Sequence, residues 1–173
     1  MPLDRPVKNE LDDRVLLDLR EWLQRIGAVR KHKASLRRTP FGREIATDPA
    51  GAWRALTRKL VGGDEWERFV AETGLLFFLA QTEPISDNAA PVFIRNCAIE
   101  MGWQITRDGI SGPPPLRDVS WTFIDARHVW DAWALTVTSG DWGNRRISLT
   151  DAGQAAALGY LRHVAAGPND TPW

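Results

Sequence analysis

Leu36-Arg37-Arg38-Thr39-Pro40-Phe41-Gly42 in the first part of the chain is matched by Ile147-Ser148-Leu149-Thr150-Asp151-Ala152-Gly153 in the last. Each stretch ends a short strand-like run and then opens a helix on Thr-x-x-Gly. Threonine is a good N-cap, because its hydroxyl can accept from a free amide of the first turn. Pro40 at the first helical position sharpens the first copy, since its missing N–H has no helical partner to lose. Working backwards, each stretch follows a short polar turn, another strand-like run and a long amphipathic segment. The unit is therefore helix, hairpin, Thr-x-x-Gly, helix, and it occurs twice.

The first unit begins with a helix over residues 9–26. Leu11, Val15, Leu16, Leu19, Trp22, Leu23 and Ile26 recur at three- and four-residue steps, between a capping Asn9 and a closing Gly27. A hairpin turns at Lys31-His32-Lys33-Ala34. Asp48-Pro49 starts another helix through Leu60, with Trp53 and Leu56 inward, and Gly62-Gly63 ends it. Beyond this break the pattern predicts helices over 64–82 and 88–101. The first turns apolar all round at Leu75-Leu76-Phe77-Phe78-Leu79, and the second points Val92, Phe93, Cys97, Ala98 and Met101 inward. Residues 103–115 read as irregular, with an Asp108-Gly109 turn and a Gly112-Pro113-Pro114-Pro115 spacer. A helix over 116–133, a second hairpin over 134–149 and a last helix through His163 complete the pattern, and 168–173 reads as a loose tail.

The order helix, hairpin, Thr-x-x-Gly, helix resembles the back half of a winged-helix (helix-turn-helix) domain. In that superfamily the helix before the hairpin is the recognition helix and the hairpin is the wing. The resemblance implies a mainly α fold with small β-hairpins (α+β), built as one and a half winged-helix units packed together. Residues 1–63 form the partial unit and 64–167 the whole one. The order is also loosely similar to uncharacterised actinobacterial plasmid ORF-3-like proteins, through Ala28-Val29-Arg30 and Thr47-Asp48-Pro49-Ala50-Gly51-Ala52-Trp53.

With 173 residues, 43% of them apolar and 25% charged, the chain suits one or two ordinary globular domains. One cysteine, Cys97, excludes an internal disulfide framework. Lys+Arg and Asp+Glu are equal at 22 each, but they are not evenly spread. Residues 1–60 hold 14 cations against 8 acids, and residues 61–173 hold 8 against 14. Between Arg25 and Arg43 stand seven Lys/Arg and no acid. Such asymmetry fits either a polyanion surface or an acidic unit docked on a basic one. No signal peptide and no bilayer-length apolar run is seen, so the expectation is a cytoplasmic protein with no membrane partner.

Two classes of function follow. The first is a non-enzymatic, DNA-associated or transcription-regulator-like protein, in which the wings touch the phosphate backbone of duplex DNA through Arg30, Lys31, Lys33, Arg37, Arg38, Arg145 and Arg146. Against it, the helix over 116–133 carries Asp118, Asp125 and Asp131 beside Arg117, Arg127 and His128. The alternative is an interaction or scaffold module that binds itself or another protein through Trp121, Trp133 and Trp142, a residue type enriched at interface hot spots. An enzyme is the weakest reading. His32, His128 and His163 are scattered, no zinc spacing or phosphate loop occurs, and Ser86-Asp87-Asn88 reads as a capping loop. Asp125 and His128 share a helix face and read as a surface ion pair, and Cys97 reads as inert core. No cofactor, metal or small-molecule site is expected.

Overall fold

The computed structural model describes residues 14–141 and 143–167, and shows a mainly α chain with small antiparallel sheets. It divides into two compact units, Met1–Leu56 and Thr57–Trp173.

In the first unit, α1 (Arg14–Arg25) leads into β1 (Val29–His32), β2 (Ser35–Arg38) and α2 (Pro40–Thr47), and α3 (Pro49–Arg58) carries the chain into the second unit. The expected start at Asn9 and the stripe residue Leu11 lie outside the described residues, as does the side chain of Val15. Trp22 and Ile26 are buried as the stripe requires. Asp48 closes α2 and accepts from the Ala50 amide at 3.1 Å, so one residue serves two helices. The expectation that Trp53 points inward is not met: it is 38% exposed, while Leu56 is half-buried.

The second unit runs α4 (Glu65–Leu79), β3 (Ile85–Ser86), α5 (Ala89–Glu100), β4 (Ile105–Arg107), β5 (Ile110–Gly112), α6 (Leu116–Ala132), β6 (Thr136–Ser139), β7 (Arg146–Leu149) and α7 (Asp151–Ala166). Asp64 and Glu67 form a reciprocal capping box that fixes the start of α4. β7 lies between β3 and β6, both antiparallel, with Ile85 opposite Ile147 and Val137 opposite Ser148. The core joins α4, α5, α6, α7 and this sheet around Val70, Leu75, Phe78, Ile94, Phe123, Trp130, Ile147 and Tyr160. A Cβ on Gly74 would lie 2.8 Å from the Phe123 ring, so glycine is what lets that ring lie against α4.

Three expectations are corrected here. Residues 103–115 are not irregular: β4 and β5 pair on either side of Asp108 (φ 50°) and Gly109 (φ 78°), the positive-φ pair that a two-residue hairpin turn requires. The inward face of α5 is Ala90, Pro91, Ile94 and Ala98, and it leaves Val92, Phe93 and Met101 exposed and Cys97 half-buried. Small residues on that face allow close helix packing, whereas Phe93 stacks on Phe77 at 4.5 Å nearer the surface. The apolar end of α4 is not wholly enclosed either, since Leu76 is 54% exposed.

The repeated sequence pattern is a repeated structure. Thr39 Oγ accepts from the Gly42 amide at 3.0 Å and donates to the Gly27 carbonyl at 2.7 Å. Thr150 Oγ accepts from the Gly153 amide at 3.0 Å and donates to the Ala134 carbonyl at 2.9 Å. The threonine amides bond Ala28 O and Leu135 O at 3.0 and 2.9 Å. Each threonine thus caps its helix and ties it to the exit of the helix before the hairpin. Those exits match as well. Gly27 and Ala134 have positive φ, and the next amide reaches back to Leu23 O in one case and Trp130 O in the other, both at 2.9 Å. α5 leaves by the same turn, with Gly102 at φ 77° and Trp103 bonded to Ala98 O.

Tyr160 on α7 donates to Glu72 on α4 at 2.7 Å. Burial, and then this bond, push its phenol well above the ordinary value of 10.0. The folded state favours the neutral phenol, so this contribution is intact below the ordinary tyrosine pKa and is lost as pH rises past it. Tyr160→Phe is expected to cost about 1 kcal/mol at neutral pH. It should also flatten the alkaline fall in stability that begins at about pH 10 and continues above it, as read by urea denaturation. An unchanged alkaline limb would show that Tyr160 does not cause it.

Candidate nucleic-acid interface

The β1–β2 ribbon grows out of the Gly27–Thr39 tie and turns at Lys33, whose φ is +56°. Its register sets Val29 opposite Arg38, Arg30 opposite Arg37, Lys31 opposite Leu36 and His32 opposite Ser35. Side chains alternate faces along a strand and cross-strand partners share one. Arg30, His32, Ser35 and Arg37 therefore occupy one face, and Val29, Lys31, Leu36 and Arg38 the other. All of β2 is exposed, as are Arg30, Lys31 and Lys33, while Val29 and His32 are half-buried. Among the described residues no carboxylate pairs with Arg30, Lys31, Lys33, Arg37 or Arg38.

The β6–β7 hairpin of the second unit is less basic. Arg145 and Arg146 are exposed, but Arg146 donates to the Pro84 carbonyl at 3.3 Å and the Arg145 carbonyl accepts from the Asp87 amide at 3.1 Å. The Arg146 guanidinium and the Arg145 backbone carbonyl thus help secure β3 against β7. Trp142, a candidate interaction residue, lies outside the described residues.

The three acids of α6 have different surroundings. Asp118 is held by Arg107 of β4 at 2.9 Å, with Arg117 at 3.9 Å. Asp131 binds Arg127 at 3.3 Å and accepts from the Thr136 hydroxyl. Arg127 also bonds Asp87, so one nearly buried guanidinium joins α6 to the loop before α5. Of these three acids Asp125 alone forms no ion pair with a described residue, His128 included. The i,i+4 spacing of Arg127 and Asp131 was readable in the sequence, whereas the Asp87 and Arg107 partners come from distant loops. Asn88 makes no side-chain cap, so Ser86-Asp87-Asn88 serves through Asp87 instead.

Of the described candidate tryptophans, Trp121 is 62% exposed on α6. Trp133 is half-buried and packed against the core. Burial, with Glu100 adding to it, pushes the Cys97 thiol up and away from the reactive thiolate. Among the described residues no three His, Cys, Asp or Glu gather as a metal site, and no helix is long and apolar enough to cross a membrane. A cleft of about 170 Å³ touches Phe78, Glu83, Ile147 and Gln154, small beside ordinary ligand pockets of roughly 300–1,000 Å³. Comparison with protein-family models, curated proteins and solved structures finds no match for this chain.

Proposed function

We propose that the chain is a non-enzymatic, cytoplasmic, DNA-associated protein of winged-helix type, whose β1–β2 ribbon binds the phosphate backbone. The observation that carries this reading is the register of the ribbon. Arg30 stands directly opposite Arg37, and among the described residues no acid pairs with either. Like charges set opposite each other on a ribbon destabilise it by roughly 0.2–1 kcal/mol. A line of phosphates would turn that cost into attraction, because each contact releases condensed counterions. The paired acids of α6 weaken the objection that this helix would repel DNA, since two of its three carboxylates are already neutralised by arginine.

Five cations engaged on phosphate give an expected slope of about −4.5 for log K against log salt. The Lys31/Lys33/Arg37/Arg38 quadruple alanine variant keeps Arg30 alone, and its slope is expected to fall to about −1. Fluorescence anisotropy with random duplex DNA reads both. Equal binding by parent and variant, or none by the parent at low salt, sinks the proposal.

Trp121 favours a second reading. A tryptophan 62% exposed on a helix is the residue type found at the centre of protein interfaces. An interaction module predicts a mass above one chain by light scattering, reduced to one chain by Trp121→Ala. A parent that stays monomeric at high concentration and has no co-purifying partner argues against it.

A further inference from the structure

The two faces of the β1–β2 ribbon carry cations alike. Arg30 and Arg37 lie on one and Lys31 and Arg38 on the other, with Lys33 at the tip. A ribbon meant to lie flat on a polyanion would need cations on the contacting face only. This one has two on each side, and all four side chains are exposed. Both sides can meet phosphate at once only if the ribbon stands between two phosphate walls. We infer that the β1–β2 ribbon inserts edgewise into the major groove of B-form duplex DNA, with Arg30/Arg37 facing one bordering backbone and Lys31/Arg38 the other. This rests on the backbone-binding reading above and adds the form of nucleic acid and the groove.

Dimensions select the groove. Two strands of four residues extend about 13 Å from the base of the ribbon, enough to cross a groove about 8.5 Å deep. The major groove of B-DNA is about 12 Å wide and admits a two-stranded ribbon, whereas the minor groove, at about 6 Å, does not. The deep, narrow major groove of an A-form RNA duplex also excludes it. Single strands are disfavoured for a different reason. Sequence-tolerant single-strand binding uses aromatic stacking, and residues 29–38 hold no Phe, Tyr or Trp.

The full chain is titrated with four probes: a short DNA duplex, the RNA duplex of the same sequence, a DNA duplex whose major groove is filled by glucosylated 5-hydroxymethylcytosine, and the plain duplex saturated with the minor-groove ligand netropsin. The expected result is tenfold or greater loss on the glucosylated and RNA duplexes, and unchanged affinity with netropsin. Arg30→Ala/Arg37→Ala and Lys31→Ala/Arg38→Ala should each lower the salt slope by about 2, because each removes two phosphate contacts. Circular dichroism confirms that both variants fold. Parent-like affinity for the glucosylated duplex, competition by netropsin, or a silent pair on either face overturns the major-groove inference while leaving backbone binding intact. A parent that binds no duplex and no heparin at about 50 mM salt fails the backbone-binding reading itself.

Discussion

Gly153→Ala is expected to destabilise the second unit by about 2–4 kcal/mol, seen as a lower urea midpoint at unchanged slope. A Cβ on Gly153 would sit 1.9 Å from the Leu135 carbonyl oxygen and 2.8 Å from its carbon. Both are backbone atoms of the segment that leads into β6, so no rotamer change makes room. The Leu135 carbonyl also accepts the Thr150 amide at 2.9 Å, and the Gly153 amide is the donor that Thr150 caps. Pushing α7 away therefore breaks the tie between α6, the hairpin and α7. Gly159→Ala in the same helix is the control. Its Cβ meets nothing closer than Thr57 at 3.9 Å, so it should be neutral or gain up to about 1 kcal/mol from helix propensity. The expectation fails if the two substitutions behave alike. Gly42→Ala repeats the clash in the first unit, at 1.8 Å from the Ala28 carbonyl oxygen, and should loosen the basic ribbon at its base.

That pair of glycines shows why part of this fold could be read from the sequence. Thr-x-x-Gly is a local motif: the cap needs a threonine and a first-turn amide, and both lie within four residues. The hairpins on either side were legible for the same reason, because turn residues and strand-like runs adjoin in the chain. The face that α5 buries was not legible. Its sequence, AAPVFIRNCAIE, is apolar on several sides, so spacing alone cannot choose between a face of Phe93 and Val92 and one of Ala90, Ile94 and Ala98. The choice is made by close packing against α4 and α6, information held elsewhere in the chain. β4 and β5 leave almost no trace in the sequence, because three-residue strands carry almost no alternation, although the Asp-Gly turn between them is plain. In the candidate site, the cluster of cations was evident from counting. The opposition of Arg30 to Arg37 depends on where the turn falls, and a one-residue slip would have moved each side chain to the other face. The Arg107–Asp118 and Arg127–Asp87 pairs, which alter the charge that α6 presents, join residues from separate elements and left no local trace.

Removing the Phe123 ring is expected to cost the second unit about 3–5 kcal/mol, roughly a fifth or more of an ordinary domain's stability. Phe123 is 1% exposed and sits in a triangle of rings, 6.1 Å from Phe78 and 6.0 Å from Trp130, with Phe78 and Trp130 6.4 Å apart. Trp130 is also 1% exposed, so neither neighbour can swing into the gap without leaving its own packing. Phe123→Ala therefore loses the buried area, the stacking on Phe78 and the edge-to-face contact with Trp130, and leaves a cavity that the helices cannot close. Phe93→Ala is the natural comparison. That ring stacks on Phe77 but is 39% exposed, so truncation should cost about 1 kcal/mol. Gly74 supplies a sharper test of the same packing. Gly74→Ala alone drives a methyl to within 2.8 Å of the Phe123 ring and should destabilise, but in a Phe123→Leu background the methyl meets less of a ring edge and partly fills the space left behind. The double variant is thus expected to be more stable than the sum of the two single changes by about 1 kcal/mol or more. Strict additivity would mean that α4 and α6 do not meet through this glycine and this ring, and the account of the core would have to be redrawn around Ile94, the next side chain along from Gly74 at 3.6 Å.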